Sequence, residues 1–451
     1  MTRLVEVAVA PVALARLTAL LPPERVDRVE TYAAAARRLL AGRTVWNISS
    51  TARGGGVAEM LAALVAYAAG TGVDIRWLVI GGSPDFFALT KRIHNRLHGV
   101  PGDDGALDAA ARATYDATLA GHVGELVDLV RPGDLVLLHD PQTAGLAGAL
   151  RERGAHVVWR CHVGVDESNR WTQEAWGFLQ DLVAPAHACV FSREQFAPAW
   201  VDRRWLRIIP PSLDPFSAKN VELTPREDKS LVRRLGLVVE GPAVPLADPF
   251  VLQVSRWDRL KDMSGVLDAF AGHLAELPPD VHLVLAGPAD GVADDPEAGE
   301  VLAECRDRWR SLAPAARRRA HLLAIPMDDP VANARTVNAL QRRATVVVQK
   351  SLAEGFGLTV TEPMWKARPV VASAVGGIRD QIEDGVSGIL LEDPRDGAAL
   401  AAALAGLLGD AKWRRELGRN AHDRVHEHYL ADRHLIQYVD LFAQLLGADG
   451  A

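Results

Sequence analysis

A chain of 451 residues, 49% hydrophobic and 24% charged, has the make-up of a globular protein with room for two domains of about 200 residues each. A formal charge of −7 gives no general attraction to nucleic acid, and no apolar run reaches the roughly 20 residues of a membrane span. Three cysteines (Cys161, Cys189 and Cys305) exclude a disulfide framework or a metal finger and read as small buried hydrophobes in a reducing compartment.

The N-terminus pairs a basic residue with an apolar stretch. Glu6 interrupts that stretch and no small-residue cleavage site follows, so a secretory signal is not expected and the cytoplasm is. Residues 1–42 form a partly helical extension. From there short apolar strands alternate with helix-length segments. Strands are expected at 44–49, 74–82, 134–140, 155–162 and 186–192, with a helix over 57–70 that ends at glycine. Their nearly continuous apolar character points to sheets buried on both faces and joined by right-handed crossovers. Residues 209–248 carry prolines and charges without sustained periodicity and read as the connection between domains plus a polar surface segment. A second series follows at 249–256, 281–288, 321–326, 344–351 and 369–377, and a last helix at about 430–447. The expected fold class is therefore α/β: two Rossmann-like domains with parallel sheets, facing a cleft. Residues 1–215 form the first, 216–430 the second, and 431–451 a terminal helix that could return to the first.

Ligands of open α/β sheets sit at the carboxyl ends of the strands, so the loops leaving them were searched for chemistry. After the first strand, Gly54, Gly55 and Gly56 open a helix whose positive end suits an anion; a plain tight turn is equally compatible. After the first strand of the second series, Arg256 and Lys261 can converge on a diphosphate or can be two solvated cations. The segment 349–362 places Glu354 in a loop, Gly355 and Gly357 beside a helix start, and Glu362 in that helix. A loop carboxylate can accept from sugar hydroxyls, and one on the helix can hold a ribose diol. In the first series His139, Asp140 and Gln142 leave one strand, and His162, Asp166, Asn169 and Arg170 leave another. They read as structural strand-end polar residues or as an acceptor-sugar pocket. Trp171, Trp176 and Trp257 are candidates to stack on a pyranose face.

In this order the motifs resemble the retaining glycosyltransferases of the GT-B fold. The wording WNISSTARGGGVAEML, TKRIHNRLHG, HDPQ, WRCH, PPSLDPFSAKN, QVSRWDRLKD and QKSLAEGFGLTVTE is similar to the trehalose-synthase-like members, over residues 43–430. Two loops depart from that pattern: Val163-Gly164-Val165 precede Asp166 where an earlier acid is usual, and Thr143-Ala144-Gly145 follow HDPQ without a further proline. The resemblance implies transfer of glucose from a nucleoside diphosphate glucose, such as ADP-glucose or UDP-glucose, to a small sugar acceptor, with glucose giving trehalose. It implies Arg256 and Lys261 on the donor diphosphate, and Glu354 near the reacting sugar beside Gly355, Phe356, Gly357 and Leu358. Glu362 falls on the ribose, His162 near the donor glucose, and the Gly54–Gly56 loop between donor and acceptor. Asp140, Gln142, His162 and Asp166 fall on the acceptor side. The family needs no metal or dissociable cofactor, uses no nucleic acid or membrane partner, and allows a homodimer. A retaining trehalose phosphorylase and a non-catalytic nucleotide-sugar-binding protein are the rival readings.

Overall fold

The computed structural model describes residues 3–52, 55–227, 238–244, 247–289 and 297–447. The chain divides into two compact units, Met1–Ser212 with Leu430–Ala451, and Leu213–Tyr429.

The first unit is built on a seven-stranded sheet. Its strands are β1 (Val5–Glu6), β2 (Val45–Ser49), β3 (Ile75–Val79), β4 (Leu135–His139), β5 (His156–Cys161), β6 (Ala188–Phe191) and β7 (Leu206–Ile208). They lie in the order β1-β3-β2-β4-β5-β6-β7, all parallel except β1, which runs antiparallel to β3. Alternation along each strand feeds two cores. Leu135 and Leu137 join Val45, Trp77 and Val158 on one face, while Val136 and Leu138 join Ile48, Leu78 and Trp159 on the other. The chain continues to β3 on one side of β2 and to β4 on the other, so the order reverses between β2 and β4, where such sheets bind ligands.

The C-terminal helix Ala431–Leu445 belongs to this unit and covers the first of those faces with Tyr438, Leu441 and Phe442. It also meets the N-terminal helix Pro23–Leu39, where Arg25 Nη2 reaches the buried carboxylate of Asp432 at 2.7 Å. An apolar stripe at helical spacing drives this docking, each large side chain contributing about 1.5–3 kcal/mol on burial.

The second unit carries β8 (Val238–Glu240), β9 (Phe250–Val254), β10 (His282–Pro288), β11 (Ala320–Ile325), β12 (Val346–Gln349), β13 (Val370–Ser373) and β14 (Ile389–Leu391). The order is β14-β13-β12-β9-β10-β11-β8, with only β8 antiparallel. Leaving out β8, this is the doubly wound order of a dinucleotide-binding sheet, and its reversal falls between β9 and β12.

The long strands read from the sequence are all present. The short edge strands β1, β7, β8 and β14, of two or three residues, were not anticipated. Edges pair on one side only and need no long apolar run, so they leave little trace in a hydropathy pattern. Strand β8 falls inside the segment read as a polar connection. Among the described residues no helix is long and apolar enough to cross a membrane.

Candidate active site

In the second unit the loops after β9 and β12 leave the sheet side by side at the reversal. They are tied together: Leu352 N donates to Leu260 O at 2.7 Å, and the Gln253 side chain donates to Lys261 O at 2.7 Å while accepting from Lys350 N at 3.4 Å. The short helical turn Arg259–Lys261 is capped by Asp258, whose Oδ1 accepts from Leu260 N, while its Oδ2 lies 3.3 Å from Arg256 Nη2. Asp258 is 2% exposed and the Arg256 side chain 33%, so the acid anchors a guanidinium that still faces solvent. Lys261 Nζ meets Glu354 Oε2 at 2.5 Å, and Ser351 Oγ is 3.5 Å from the same oxygen. A second ion pair, Lys350 with Asp262, lies alongside, its lysine almost fully buried. Three predicted residues, Arg256, Lys261 and Glu354, are thus held within one small charged cluster.

The turn into the helix Leu358–Trp365 depends on glycine. Gly357 has φ of +91°, and a Cβ there would lie 3.1 Å from Glu354 Cγ. Gln381 fastens the Phe356 carbonyl, so Gly355, Phe356, Gly357 and Leu358 form a rigid approach to the helix start. Glu362 lies farther along this helix, 3% exposed. Its Oε2 accepts from Gln341 Nε2 at 3.0 Å and its Oε1 is 3.3 Å from Lys219 Nζ.

The first unit presents a different chemistry. Asn47 in the middle of β2, His139 and Arg160 at the ends of β4 and β5, and His162 just beyond β5 share the face covered by the C-terminal helix. His139 Nε2 is 3.1 Å from Asn47 Oδ1, and His139 Nδ1 is 3.2 Å from His162 Nε2. Arg160, fully buried, donates from Nε to His162 Nε2 at 3.1 Å, from Nη1 to Tyr438 Oη at 3.1 Å and from Nη2 to Ile209 O at 2.8 Å. Burial first, and then the Arg160 charge, push His162 well below the usual imidazole range and His139 down to about 3. Both rings are neutral at pH 7. The Arg160 Nε lies within reach of both His162 ring nitrogens, Nε2 at 3.1 Å and Nδ1 at 3.4 Å.

Asp140 follows His139 with φ of +65°, a backbone state costly for a residue other than glycine. The strain is held by two bonds: Asp140 N donates to Arg160 O, and Asp140 Oδ1 accepts from His162 N at 2.7 Å. Burial pushes its carboxyl up to about 7. Gln142 sits in the turn Pro141–Leu146 with its Oε1 shielded from water and accepting no hydrogen bond. Asp166 is paired with Arg193. Gly55 caps the helix Gly56–Gly70 with open space in front of it, whereas Gly54 lies outside the described residues.

Two aromatic expectations change. Trp257 is 1% exposed, donates to Pro288 O and fills the space over Gly287, so it is core and cannot stack on a sugar. Trp176 packs among Trp159, Phe191 and Trp200. Trp171 stays on the surface side, flanked by the Arg96 and Arg170 guanidinium groups. Sequence reasoning missed Asp258, Asp262 and Lys219 as partners of the site residues. It also gave no role to Arg160 or Tyr438. Among the described residues no three His, Cys, Asp or Glu side chains gather to hold a metal ion.

Comparison with known proteins gives two family models: "Trehalose synthase, N-terminal domain" over residues 47–198, and "Glycosyl transferases group 1" over residues 240–424. Trehalose synthase of Rubrobacter xylanophilus is 38% identical over 411 residues, 90% of this chain and 92% of that one. Trehalose phosphorylase of Pleurotus pulmonarius is 28% identical over 84% of this chain and 54% of its own length. Among solved structures, the alpha,alpha-trehalose-phosphate synthase (UDP-forming) from Burkholderia vietnamiensis superposes with a TM-score of 0.69 at 17% identity, over 88% of this chain and 96% of that one. This last likeness establishes the GT-B fold alone.

Proposed function

This chain belongs to the trehalose-synthase-like glycosyltransferases of the GT-B fold, and from that premise we propose that it moves glucose from a nucleoside diphosphate glucose to a sugar acceptor, glucose itself in the first place. The observation that carries this reading is the cluster of Arg256, Lys261 and Glu354 at the reversal point of the second sheet. Arg256 offers a planar fork and Lys261 a point charge, a combination suited to a diphosphate whose negative charge grows as the glycosidic bond breaks. Glu354 offers a carboxylate to the sugar hydroxyls next to them. Glu362, farther along the helix that follows, takes the ribose diol.

The loops of the first unit are assigned to the sugars. They suit neutral ligands: His162 and His139 exchange hydrogen bonds without carrying charge, and Gln142 has an acceptor seeking a donor. Asp140 is the acid next to the two histidines, and its raised carboxyl range makes it a donor as well as an acceptor near neutrality.

Retention follows from front-face attack. The acceptor oxygen bonds to the anomeric carbon on the face from which the diphosphate leaves, and a diphosphate oxygen takes the acceptor's proton. The protein supplies orientation and charge stabilisation. A double displacement through Glu354 would instead require its carboxylate to leave Lys261 and bond to the anomeric carbon.

A panel of ADP-, UDP- and GDP-glucose with glucose, products separated and their anomeric configuration determined, tests the proposal. Trehalose formed with release of nucleoside diphosphate is expected. The likeness to trehalose phosphorylase gives a second reading, in which trehalose plus phosphate releases glucose 1-phosphate. That product, formed with phosphate and not with any nucleoside diphosphate, would replace the first reading by the second. Donor binding by calorimetry without transfer to any sugar would leave a binding protein only.

A further inference from the structure

Lys219 lies outside every role assigned so far. It belongs to the turn-rich stretch 213–221, which has no helix or strand of its own yet is fixed by buried side chains. Asn338 Nδ2 reaches Ala218 O and Val221 O, at 3.2 and 2.7 Å. Arg342 Nη2 reaches Asn220 O at 2.9 Å. Lys366 Nζ places its donors on Asn220 Oδ1, Gln341 Oε1 and Glu362 O, at 2.9, 2.8 and 3.1 Å. With its three donors directed at oxygens and 4% exposure, Lys366 is a structural pin.

Lys219 differs. Its side chain keeps 19% of its surface, and its ammonium addresses Glu362 Oε1, the oxygen that Gln341 does not hold. A carboxylate 4% exposed is costly to keep charged without a cation nearby, and its hydrogen-bonding direction is poorly defined unless both oxygens are engaged.

We propose that Lys219 is a positioning residue for Glu362: it fixes the aim of that carboxylate, and so sets how strongly the enzyme prefers a ribose to a ribose lacking its hydroxyls. The inference rests on the reading of Glu362 as the ribose acid. It makes the 213–221 stretch part of donor recognition, although none of its residues needs to touch the nucleotide.

The test uses the full chain and calorimetric titration with ADP, UDP and GDP against their 2′,3′-dideoxy counterparts. Wild type is expected to favour the ribose form of its preferred nucleotide by about tenfold or more, since a site built for hydroxyls rejects their absence. Lys219→Met should compress that preference to about threefold or less, with the dideoxy affinity unchanged and Lys219→Arg restoring the preference. If Lys219→Met does not fold, Lys219→Gln reads the same ratio without the charge. Equal weakening of both nucleotides would overturn the proposal, since it describes a general structural loss; so would an unchanged preference. Glu362→Gln separates the two readings. Should wild type and Glu362→Gln both bind the ribose and dideoxy forms alike, the ribose assignment of Glu362 falls and takes the proposal with it. Should Glu362→Gln lose a preference that Lys219→Met retains, only the role of Lys219 falls.

Discussion

The two units solve the same topological problem with opposite electrostatics. Both present loops at the point where their strand order reverses. The second unit fills that point with charge: Arg256 with Asp258, Lys261 with Glu354, Lys350 with Asp262. The first fills it with neutral imidazoles over one buried guanidinium, and Asp140 beside them is pushed toward neutrality. Partly exposed cations such as Arg256 and Lys261 can exchange a carboxylate for a phosphate and remain compensated. A buried neutral network is suited to hydroxyls, which need direction more than charge. The contrast fits a division between a diphosphate-binding unit and a sugar-binding one.

Glu354→Gln should show the largest effect. Turnover is expected to fall about a hundredfold or more, while nucleotide-sugar affinity measured by calorimetry stays within about threefold. Unaltered turnover would remove Glu354 from the chemistry and leave it as the counter-ion of Lys261. Arg256→Ala should lower donor affinity and kcat/KM together, by about 10- to 100-fold, and flatten the dependence of binding on salt. If affinity held while turnover fell, the guanidinium would act only in the transition state.

In the first unit, Arg160→Met should lower stability by about 2–4 kcal/mol in denaturant titration, because Ile209 O, Tyr438 Oη and His162 lose a buried donor. It should also let His162 titrate closer to the usual imidazole range, readable by NMR. A His162 that stayed neutral at low pH would show that burial alone, without the guanidinium, sets its state.

The smallest effect concerns Asp140. Its folded carboxyl titrates at about 7 against 3.8 for an ordinary aspartate, so the folded chain holds the proton more tightly. Stability from this group is therefore full at pH 4 and declines as pH rises toward 7. Asp140→Asn, which also tolerates positive φ, should remove that decline. Its gain over wild type should be absent near pH 4, grow through the window up to about pH 7 and level off above it, read from thermal melts across the range. Parallel curves for the two proteins would place the Asp140 carboxylate in a better solvated setting than its burial implies.

Much of this contrast was legible before the structure. Apolar runs bounded by glycine and charge marked the long strands, and Arg256, Lys261 and Glu354 stood out by lying in loops that leave buried strands, with Glu362 in the helix that follows. Trp257 misled, since an aromatic beside a functional arginine says nothing about which way the ring turns. Arg160 was quoted only as part of a motif, because an arginine inside an apolar strand shows no partner in one dimension.

The sequence by itself therefore determined the α/β architecture, since strand and helix periodicities are local and repeat over a few residues. It also marked the loops proposed here for the chemistry, because a strand's end is visible in the chain. Tertiary structure alone decided which charges are paired and which imidazoles are neutral. Lys219 and Glu362 are 143 positions apart and Arg160 and Tyr438 are 278 apart. Desolvation and hydrogen bonding depend on what the fold brings within about 3 Å, and no pattern along the chain encodes that distance.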